Sequence, residues 1–444
     1  MSKNGDNLME KIVSLCKRRG FVYPGSEIYG GLANTYDYGP LGVELKNNIK
    51  QAWWKYFIQD REDMVGLDGG IILSPKIWEA SGHVENFQDS LVECKKCHHR
   101  FRPDKLVKSG RCPDCGGELT EPKMFSGLFK TTIGPVEEEG TVAYLRPETA
   151  QAIFANYKNI LNSTGRKIPF GIGQIGKAFR NEITTGNFIF RTLEFEQMEI
   201  EYFISPDADW KKIFNDWLTY IYGFADIIGL NRKKMFNNEI SDAERAFYSK
   251  RTIDIEYKFP FGEETEELWA IAYRTDYDLS RHQEHSGESM EYFDEVAKKK
   301  YIPHVIEPTF GVDRTLLALI ADGYTEEKSA KGEHRIVLKL KPQMAPYKIA
   351  VAPLLSNKEK LVVQAKLIYE MLKKKYNCVW DDRGNIGKRY WSQDEIGTPY
   401  FITVDFETLD DKAVTVRDRD TTRQDRVKIG DLASYFSDKL GSPC

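Results

Sequence analysis

Arginines, a phenylalanine and carboxylates recur at close spacing in one stretch of the sequence, residues 176–203. The stretch reads GKAFRNEITTGNFIFRTLEFEQMEIEYF, with Arg180 and Glu182 early and Arg191 and Phe195 late. Guanidinium groups bind phosphate oxygens through paired hydrogen bonds, and a purine base stacks on a phenyl ring. A salt-bridged polar hairpin is the simpler alternative, but this combination of residue types favours the binding of a nucleotide triphosphate.

Strand alternation arranges these groups in space. Two strand-like runs flank the Thr-Thr-Gly-Asn turn at 184–187, which predicts a long hairpin. Because successive strand side chains point to opposite faces, Arg180 and Glu182 share a face of the first strand. The second strand then presents on one face Arg191, Leu193, Phe195, Gln197 and Glu199, and on the other Phe190, Thr192, Glu194 and Glu196.

A second arginine motif lies at residues 304–322, HVIEPTFGVDRTLLALIAD. The pattern predicts a strand that runs through Pro308 and Gly311 into an amphipathic helix. Gly311 permits close backbone approach, and Arg314 falls in the first helical turn, where free amide groups favour anions. Taken alone, Arg314 is equally compatible with an ordinary surface position on a core helix.

Four cysteines form two C-x-x-C pairs, Cys94/Cys97 and Cys112/Cys115. Two such pairs at this separation are typical of a tetrahedral four-thiolate Zn²⁺ site, which folds a segment too small for its own core. We therefore predict a zinc ribbon over residues 91–122, in which His98 and His99 are spare ligands. A catalytic zinc and a redox pair are both weaker interpretations, and the thiols of Cys16, Cys378 and Cys444 carry no activating neighbours.

Composition restricts the class of protein. The 444 residues are 41% hydrophobic and 29% charged, with a net charge of −4, which argues against a protein that coats nucleic acid non-specifically. No secretory leader or membrane-spanning run is present, and the cysteine usage suits a reducing cytoplasm. Function must therefore reside in local sites.

The chain is predicted to contain two domains. Residues 1–340 mix strand-like and helical runs, typical of an α+β domain, and within them residues 205–250 are expected to be mostly helical. Residues 346–444 alternate short apolar strands with helical patterns, which predicts an α/β domain with a parallel sheet at its centre. Ser356 and Glu359 suggest a capping box before a helix whose buried face carries Leu361, Ala365, Ile368 and Leu372.

The motifs resemble those of one enzyme family. Phe-Arg-Asn-Glu at 179–182 and Arg-Thr-Leu-Glu-Phe at 191–195 look like motif 2 of the class II aminoacyl-tRNA synthetases. Residues 304–322 resemble motif 3, and YDYGPLGVELKNNIKQAWW at 36–54 resembles motif 1, the dimer interface of that class. The wider strings, QIGKAFRNEI and EFEQMEIEYF, are similar to glycyl-tRNA synthetases of the homodimeric bacterial and eukaryotic type.

The resemblance implies a catalytic domain built on an antiparallel sheet and a set of site residues. Arg180 and Arg314 would be catalytic. The nucleotide would contact Arg180, Asn181, Glu182, Phe190, Arg191, Thr192, Leu193, Glu194, Phe195, Glu267, Leu268, Gly311, Val312, Asp313 and Arg314. Glycine would contact Arg102, Glu148, Phe195, Glu196, Gln197, Met198, Glu199, Glu307, Pro308, Thr309, Phe310 and Gly311.

Three positions depart from the family pattern. Thr309 replaces the more usual serine, Leu193 replaces a common arginine, and an arginine near Thr185 and Gly186 is missing. The three phosphate-binding arginines of the motifs remain, so the resemblance still implies an active site.

The C-terminal strings resemble the anticodon-binding domain shared by glycyl-, prolyl-, threonyl- and histidyl-tRNA synthetases. Lys388, Arg389, Tyr390 and Trp391 combine cations with aromatic rings, which suits unstacked RNA bases and their phosphates. A solvated loop with Trp391 packed against the domain is the alternative.

The resemblance implies a cytoplasmic homodimer that ligates glycine to tRNA(Gly), with ATP as substrate, Mg²⁺ as counter-charge and a structural Zn²⁺. Two alternatives stay open from the sequence: a class II synthetase for proline, threonine or histidine, and a non-catalytic paralogue that binds RNA. The string EPTFGVDR argues against the first, and retention of the arginines argues against the second.

Overall fold

A computed structural model describes residues 3–103, 106, 110–134, 140–182, 186–262, 264–328, 332 and 334–440, with the backbone alone at 3–7 and 89. The strands, in chain order, are β1 (Val22–Pro24), β2 (Tyr36–Tyr38), β3 (Met64–Gly66), β4 (Ile72–Leu73), β5 (Gln88–Glu93), β6 (Arg100–Phe101), β7 (Lys123–Ser126), β8 (Lys130–Ile133), β9 (Thr141–Leu145), β10 (Phe170–Phe179), β11 (Glu194–Ile204), β12 (Met235–Glu239), β13 (Arg251–Tyr257), β14 (Glu266–Thr275), β15 (Tyr292–Asp294), β16 (Lys299–Tyr301), β17 (His304–Gly311), β18 (Tyr324–Lys328), β19 (His334–Leu338), β20 (Ile349–Pro353), β21 (Cys378–Trp380), β22 (Tyr400–Val404), β23 (Ala413–Asp418) and β24 (Gln424–Lys428). The helices are α1 (Lys3–Arg19), α2 (Pro40–Trp54), α3 (Pro75–Ala80), α4 (His83–Asn86), α5 (Ala150–Thr164), α6 (Trp210–Ile228), α7 (Tyr277–Ser286), α8 (Val312–Gly323), α9 (Glu359–Leu372), α10 (Ile386–Glu395), α11 (Glu407–Asp411) and α12 (Leu432–Leu440).

A seven-stranded sheet lies at the centre of the larger domain. Its strand order is β12-β13-β14-β17-β11-β10-β3. All neighbours pair antiparallel except β10 and β3, which are parallel. This arrangement confirms the predicted α+β domain built on an antiparallel sheet.

Alternation along β11 separates the hydrophobic core from the site. Met198, Ile200 and Tyr202 belong to the main core, which helices α2, α6 and α8 close with an aromatic cluster around Phe57 and Trp217. Glu199 and Phe203 point to the opposite face, where Phe203 packs with α5 in a second core. Full burial of each large apolar side chain stabilises the fold by about 1.5–3 kcal/mol, so the register of β11 is firmly specified.

Helix α6 accounts for only part of the segment at 205–250. Asp209 caps its N-terminus by accepting a hydrogen bond from Lys212 N, and Phe214, Trp217 and Ile221 are buried as the helical spacing predicts. The chain then enters β12, which pairs with β13 at the edge of the central sheet. The expectation of a mostly helical segment was therefore too broad, because the polar residues after Gly229 gave no sign of an edge strand.

The C-terminal domain has a five-stranded sheet in the order β21-β20-β22-β23-β24. Strands β21, β20 and β22 are parallel, and they run from one edge of the sheet to its middle strand, β22. The predicted parallel strands are therefore present, and β23 and β24 complete the other side with antiparallel pairing. Leu361, Ala365, Ile368 and Leu372 form the buried face of α9. The predicted capping box is wrong: the helix starts after Lys358, and no side chain caps it.

Contacts join the two domains. Strands β18 and β19 pair antiparallel, and Arg335 on β19 donates to Asp394 on α10 at 2.8 Å. Arg19, at the end of α1, donates to the carbonyl and hydroxyl of Ser392 at 2.6 Å. Within the described ranges, no helix combines the length and apolarity needed to cross a membrane.

Candidate active site

A cavity of about 520 Å³ opens on one face of the central sheet. Strands β11, β13, β14 and β17 and the loop that follows β10 supply its walls. The sequence-predicted residues that line it are Glu148, Arg180, Glu182, Phe190, Arg191, Thr192, Phe195, Glu196, Gln197, Glu199, Glu267, Leu268, Glu307, Thr309, Gly311, Asp313 and Arg314.

The predicted hairpin exists, but its strands are shorter than expected. Strand β10 ends at Phe179 and β11 begins at Glu194, so Arg180, Glu182 and Arg191 lie in the connecting loop. That loop contains a short 3₁₀ helix at residues 188–190, and Asn187 adopts a left-handed φ of 58°. The departure at Thr185 lies outside the described residues. The arginines are therefore positioned by loop contacts, whereas strand alternation positions Phe195, Gln197 and Glu199.

Three arginines, Arg180, Arg191 and Arg314, converge on Glu267; we refer to them as the arginine cluster. Burial alone would raise the pKa of Glu267, but Arg314, followed by Arg180 and Arg191, holds it below its ordinary value. Three guanidinium groups gathered at one part of the cavity favour an anionic ligand there, and their planar donors suit phosphate oxygens.

Short contacts fix each arginine of the cluster. Arg180 donates to Pro147 O at 3.0 Å and lies 5.4 Å from the Phe195 ring. Arg191 pairs with Glu182 at 3.2 Å. Arg314 lies 4.5 Å from the Phe190 ring and donates to Glu267 O at 2.8 Å. Each of these side chains therefore keeps a defined orientation toward the cavity.

Three buried carboxylates, Glu148, Glu199 and Glu307, line the same cavity; we call them the glutamate well. Glu148 contacts His83 Nε2 at 3.1 Å and accepts from Gln151 at 3.0 Å. Glu199 accepts hydrogen bonds from the hydroxyls of Thr149 and Thr309, the latter at 3.1 Å. Glu307 accepts from Arg274 at 2.7 Å.

The carboxyls of the well differ in how readily they ionise. Burial alone would raise the pKa of Glu148, but His83, Arg274 and Gln151 hold it below its ordinary value. Burial, followed by the charge of Glu148, raises the pKa of Glu199. Burial raises the pKa of Glu307 despite its ion pair with Arg274. This concentration of negative charge favours a ligand with a cationic group.

Arg274 and Asp278 support the glutamate well, and the sequence analysis did not identify either of them. Arg274, on β14, is 0% exposed and donates to both oxygens of Asp278 at 2.7 and 2.8 Å. Its guanidinium also lies 3.8 Å from the Tyr248 ring. The spacing of Arg274 and Asp278 indicated a possible ion pair, but nothing in the sequence placed that pair beside Glu307, which comes from another strand.

Asp313 joins the cavity wall to the helix of the motif 1 segment. Its carboxylate accepts from Lys46 on α2 at 2.8 Å and from the backbone N–H of Glu196 at 2.8 Å, and it also bonds Tyr38. Lys50 pairs with Glu196 at 2.9 Å. Asp313, which was predicted to contact the nucleotide, therefore links α8 to β2, α2 and β11 in this structure.

The other predicted site residues lie outside the cavity lining in the described part of the chain. Met198, Phe310 and Val312 are in the hydrophobic core, because strand alternation and the first turn of α8 direct them there. Glu194 pairs with Lys177, and Asn181 donates to Ser126 O at 3.5 Å. The remaining residues of this group are Arg102, Leu193 and Pro308.

The four predicted zinc ligands come together in the small three-stranded sheet of β6, β5 and β7. Their sulfur atoms all lie within 4.8 Å of one another, with Cys94 and Cys115 at 3.5 Å and Cys97 and Cys112 at 3.6 Å. A tetrahedral Zn²⁺ with bonds of about 2.3 Å requires sulfurs about 3.8 Å apart, so the cluster fits the metal. His98 and His99 instead pair with Glu93 and Asp114.

The four predicted anticodon-region residues all lie on α10, but they differ in exposure. Arg389 is buried, and its guanidinium donates to the carbonyls of Pro353, Asp382, Gly384 and Arg383. Each of the three guanidinium nitrogens of Arg389 thus donates to a backbone carbonyl, which argues against the predicted contact with RNA. Tyr390 donates to or accepts from Thr403 at 2.8 Å, while Lys388 and Trp391 line a second cavity of about 310 Å³.

Comparison with known proteins agrees with this architecture. The family model for the tRNA synthetase class II core domain (G, H, P, S and T) matches residues 129–323, and that for the anticodon binding domain matches residues 348–439. The chain is 52% identical to the glycine–tRNA ligase of Lachnospira eligens, across 98% of this chain and 99% of the relative. It is 51% identical to that of Acetivibrio thermocellus and 52% identical to that of Thermobifida fusca, each across 97% of this chain and 98% of the relative.

The antiparallel sheet, the arginine cluster and the core-domain match define a class II aminoacyl-tRNA synthetase. Within that class, similarity along nearly its whole length shows that the chain belongs to the glycine–tRNA ligase family.

Proposed function

We propose that the chain activates glycine with ATP to give glycyl-adenylate and pyrophosphate, and then transfers the glycyl group to the terminal ribose of tRNA(Gly). One observation carries this proposal: a single cavity joins the arginine cluster to the glutamate well. Nucleotide phosphates suit the first and the ammonium group of an amino acid suits the second. Membership of the glycine–tRNA ligase family supports the choice of glycine.

In the first step a carboxylate oxygen of glycine attacks the α-phosphorus, and the bond to pyrophosphate breaks. Arg180 binds the α-phosphate, Arg191 and Arg314 bind the leaving pyrophosphate, and Phe195 stacks on the adenine. The chemistry needs alignment and charge neutralisation more than a protein nucleophile. A cavity rich in arginine meets that need.

Two carboxylates beside the arginine cluster suit a divalent cation. Asp254 and Glu267 both line the cavity, and burial together with Glu267 raises the pKa of Asp254 to about 7. This excess of negative charge is what a cation relieves. Asp254 and Glu267 would hold Mg²⁺, which would balance the charge of the phosphates.

Selectivity for glycine rests on the ammonium group and on space. The glutamate well would accept the ammonium group, and exclusion of side chains at Cα would supply the rest of the selectivity. A hydroxyl from Thr309, which donates to Glu199 at 3.1 Å, keeps one acceptor in place. Exclusion of larger amino acids needs no separate editing site.

The remaining features support the two-domain enzyme. We propose a catalytic domain over 1–340 and an anticodon-binding domain over 346–444, in which Lys388 and Trp391 lie beside the RNA. The thiols of Cys94, Cys97, Cys112 and Cys115 would hold a structural Zn²⁺, which supplies folding energy to the insertion. Two copies associate through the region of α2, and the enzyme works in the cytoplasm with its tRNA.

Amino-acid-dependent ATP–pyrophosphate exchange tests the proposed function. The purified chain is assayed with glycine, alanine, serine, proline, threonine and histidine in turn. We expect exchange with glycine alone. Exchange with proline but not glycine would contradict the specificity, and no exchange with any amino acid would indicate a non-catalytic paralogue.

Two variants, each with one arginine replaced, test the site in the same assay. Arg180→Ala removes the proposed contact to the α-phosphate and is expected to lower exchange by about 10²–10³-fold, the usual loss for one fixed donor. The control is Arg232→Ala, which removes an exposed arginine that contacts Asp226 and the Tyr222 ring outside the cavity lining. Full exchange by Arg180→Ala would refute the role of that residue.

A further inference from the structure

One carboxyl beside the glutamate well has no place in the reaction as proposed, that of Glu201. It is 0% exposed, and neither of its oxygens has a hydrogen-bond partner among the residues that the structure describes. By contrast, each of the three glutamates of the well accepts at least one hydrogen bond from a neighbouring side chain. A buried carboxylate without any partner is costly, so Glu201 requires an explanation.

Strand register places Glu201 against the well. Strands β11 and β17 pair Glu199 with Thr309 and Tyr202 with Ile306, which sets Glu201 opposite Glu307. Glu201 also shares a face with Glu199, two residues earlier. Carboxyl oxygens of Glu199, Glu201 and Glu307 all lie within 4.8 Å of one another.

An ammonium group fits between three such oxygens. It has three N–H donors directed toward the corners of a tetrahedron. With hydrogen bonds of about 2.8 Å, its acceptors lie about 4.6 Å apart. The spacing of the three glutamates is compatible with this arrangement, and the unpartnered Glu201 would gain the donor that it lacks.

The charges around Glu201 are unfavourable when no cation is bound. Glu199 on its own strand, Glu307 on β17 and Asp278 on α7 are negative, and Arg274 on β14 is the positive group that faces them. Arg274 is already bonded to Asp278 and Glu307. Like charges opposite each other on neighbouring strands repel, and burial, then Glu307, raises the pKa of Glu201 well above its ordinary value.

On the basis of the proposed glycine activation, we propose that Glu201 accepts a hydrogen bond from the ammonium group of glycine, together with Glu199 and Glu307. In the free enzyme the Glu201 carboxyl carries a proton, which it releases to solvent when glycine binds. The O–H bond of the carboxyl breaks, the proton passes to water, and the carboxylate oxygen accepts an N–H hydrogen bond. No bond of glycine is formed or broken. Glycine binding is thereby coupled to pH.

A divalent cation is the competing occupant of the same three oxygens. Such an ion binds carboxylate oxygens at about 2.0–2.6 Å. Arg274, which donates to Glu307 at 2.7 Å, places a positive charge beside that position. The ammonium group is the occupant that we assign, because Glu199 and Glu307 also line the cavity that would hold glycine. Binding of Mn²⁺ distinguishes the two occupants.

The test is the pH dependence of glycine use in ATP–pyrophosphate exchange, at saturating ATP, from pH 6 to 9. The wild type is compared with Glu201→Gln, which stays neutral, and Glu201→Met, which has no hydrogen-bonding group. Both substitutions replace a buried carboxyl that is neutral in the free enzyme with another neutral side chain, so folding is expected to persist. Glu295→Gln, a change at an exposed glutamate, is the matched control.

We expect kcat/KM for glycine of the wild type to rise with pH by up to about tenfold per unit before it levels off, as loss of one proton requires. At pH 8 both Glu201 variants should show a KM for glycine raised at least about tenfold, with kcat changed less than about threefold, and a flattened pH profile. Calorimetry with glycine in two buffers of different ionisation heat should find that Glu201→Gln releases about one proton fewer than the wild type.

Variants with a wild-type KM and pH profile would refute the assignment of Glu201, and a raised KM with an unchanged profile would refute proton release. Mn²⁺ binding without ATP that is lost in Glu201→Gln would identify a metal site instead and overturn the proposal. Absence of exchange in the wild type would refute the proposed function itself, and this inference with it.

Discussion

Replacement of Arg274 by methionine is expected to destabilise the catalytic domain and weaken glycine binding together. Arg274 makes three charge-assisted hydrogen bonds of 2.7–2.8 Å to Asp278 and Glu307, and it stacks on Tyr248. Methionine preserves much of the buried volume but leaves both carboxylates without their cation. Loss of one partner of a buried ion pair costs about 3–5 kcal/mol.

Part of that cost falls on glycine binding. Glu307 loses the partner that orients it, so its carboxylate is free to turn from the cavity. A loss of about 1.4 kcal/mol corresponds to a tenfold change in affinity, and we expect the KM for glycine to rise at least about tenfold. Arg274→Lys keeps the charge but not the planar fork, and should recover only part of the loss.

The assays are urea unfolding followed by tryptophan fluorescence, and glycine-dependent pyrophosphate exchange at a temperature where each variant is folded. Arg389→Met is the matched control, because it removes another buried arginine, in the C-terminal domain. The control should lower stability but leave the KM for glycine unchanged. An Arg274→Met protein within about 1 kcal/mol of wild-type stability and with a wild-type KM would refute the reasoning, since breaking a buried pair costs more than that.

Three further outcomes are expected. Arg314→Ala removes a guanidinium from the arginine cluster and should lower kcat/KM for ATP in pyrophosphate exchange by about 10²–10³-fold; an unchanged value would contradict its phosphate role. Cys112→Ser opens the four-thiolate cluster, so elemental analysis should find about one zinc per chain in the wild type and none in the variant; retained zinc would contradict the ligand assignment. Burial lowers the pKa of Lys348 to about 8 from 10.5. Between pH 8 and 10.5 the unfolded chain therefore binds more protons than the folded chain, so the free energy of unfolding in urea should rise by up to about 3 kcal/mol across this range. Lys348→Met should lack this rise, and a variant that retains it would exclude Lys348 as its source.

Local patterns in the sequence predicted the elements that depend on local forces. The apolar face of α9 and the three parallel strands of the C-terminal sheet follow from residue periodicity alone. The spacing of the cysteine pairs likewise predicted the thiol cluster, because each C-x-x-C turn brings its two sulfurs together. These features need little information from distant parts of the chain.

The parts that sequence reasoning missed depend on contacts between distant segments. The hairpin loop holds Arg180 through the carbonyl of Pro147, which precedes α5, so its strands end earlier than alternation suggested. The sequence suggested that Arg389 contacts RNA, because it could not show that backbone carbonyls from other segments accept hydrogen bonds from its guanidinium. Glu201 occupies an ordinary alternating position, and only the register with β17 places it beside Glu307.

The corrections at the site share one physical cause. A guanidinium or carboxylate is buried only where several chain segments supply partners for it. Arg274 needs β14, α7 and β17 in place at once, and the sequence shows the pair with Asp278 but not the third partner. Charged residues in the core were therefore the hardest to predict and are the ones that define the site.

Aminoacylation of tRNA(Gly) by the purified chain tests the central claim most directly. The assay follows radiolabelled glycine into acid-precipitable tRNA in the presence of ATP and Mg²⁺, with proline and threonine as competing amino acids. We expect glycine alone to be attached, and only when ATP is present. Attachment of another amino acid, or no attachment although pyrophosphate exchange occurs, would contradict the conclusion that this chain ligates glycine to tRNA.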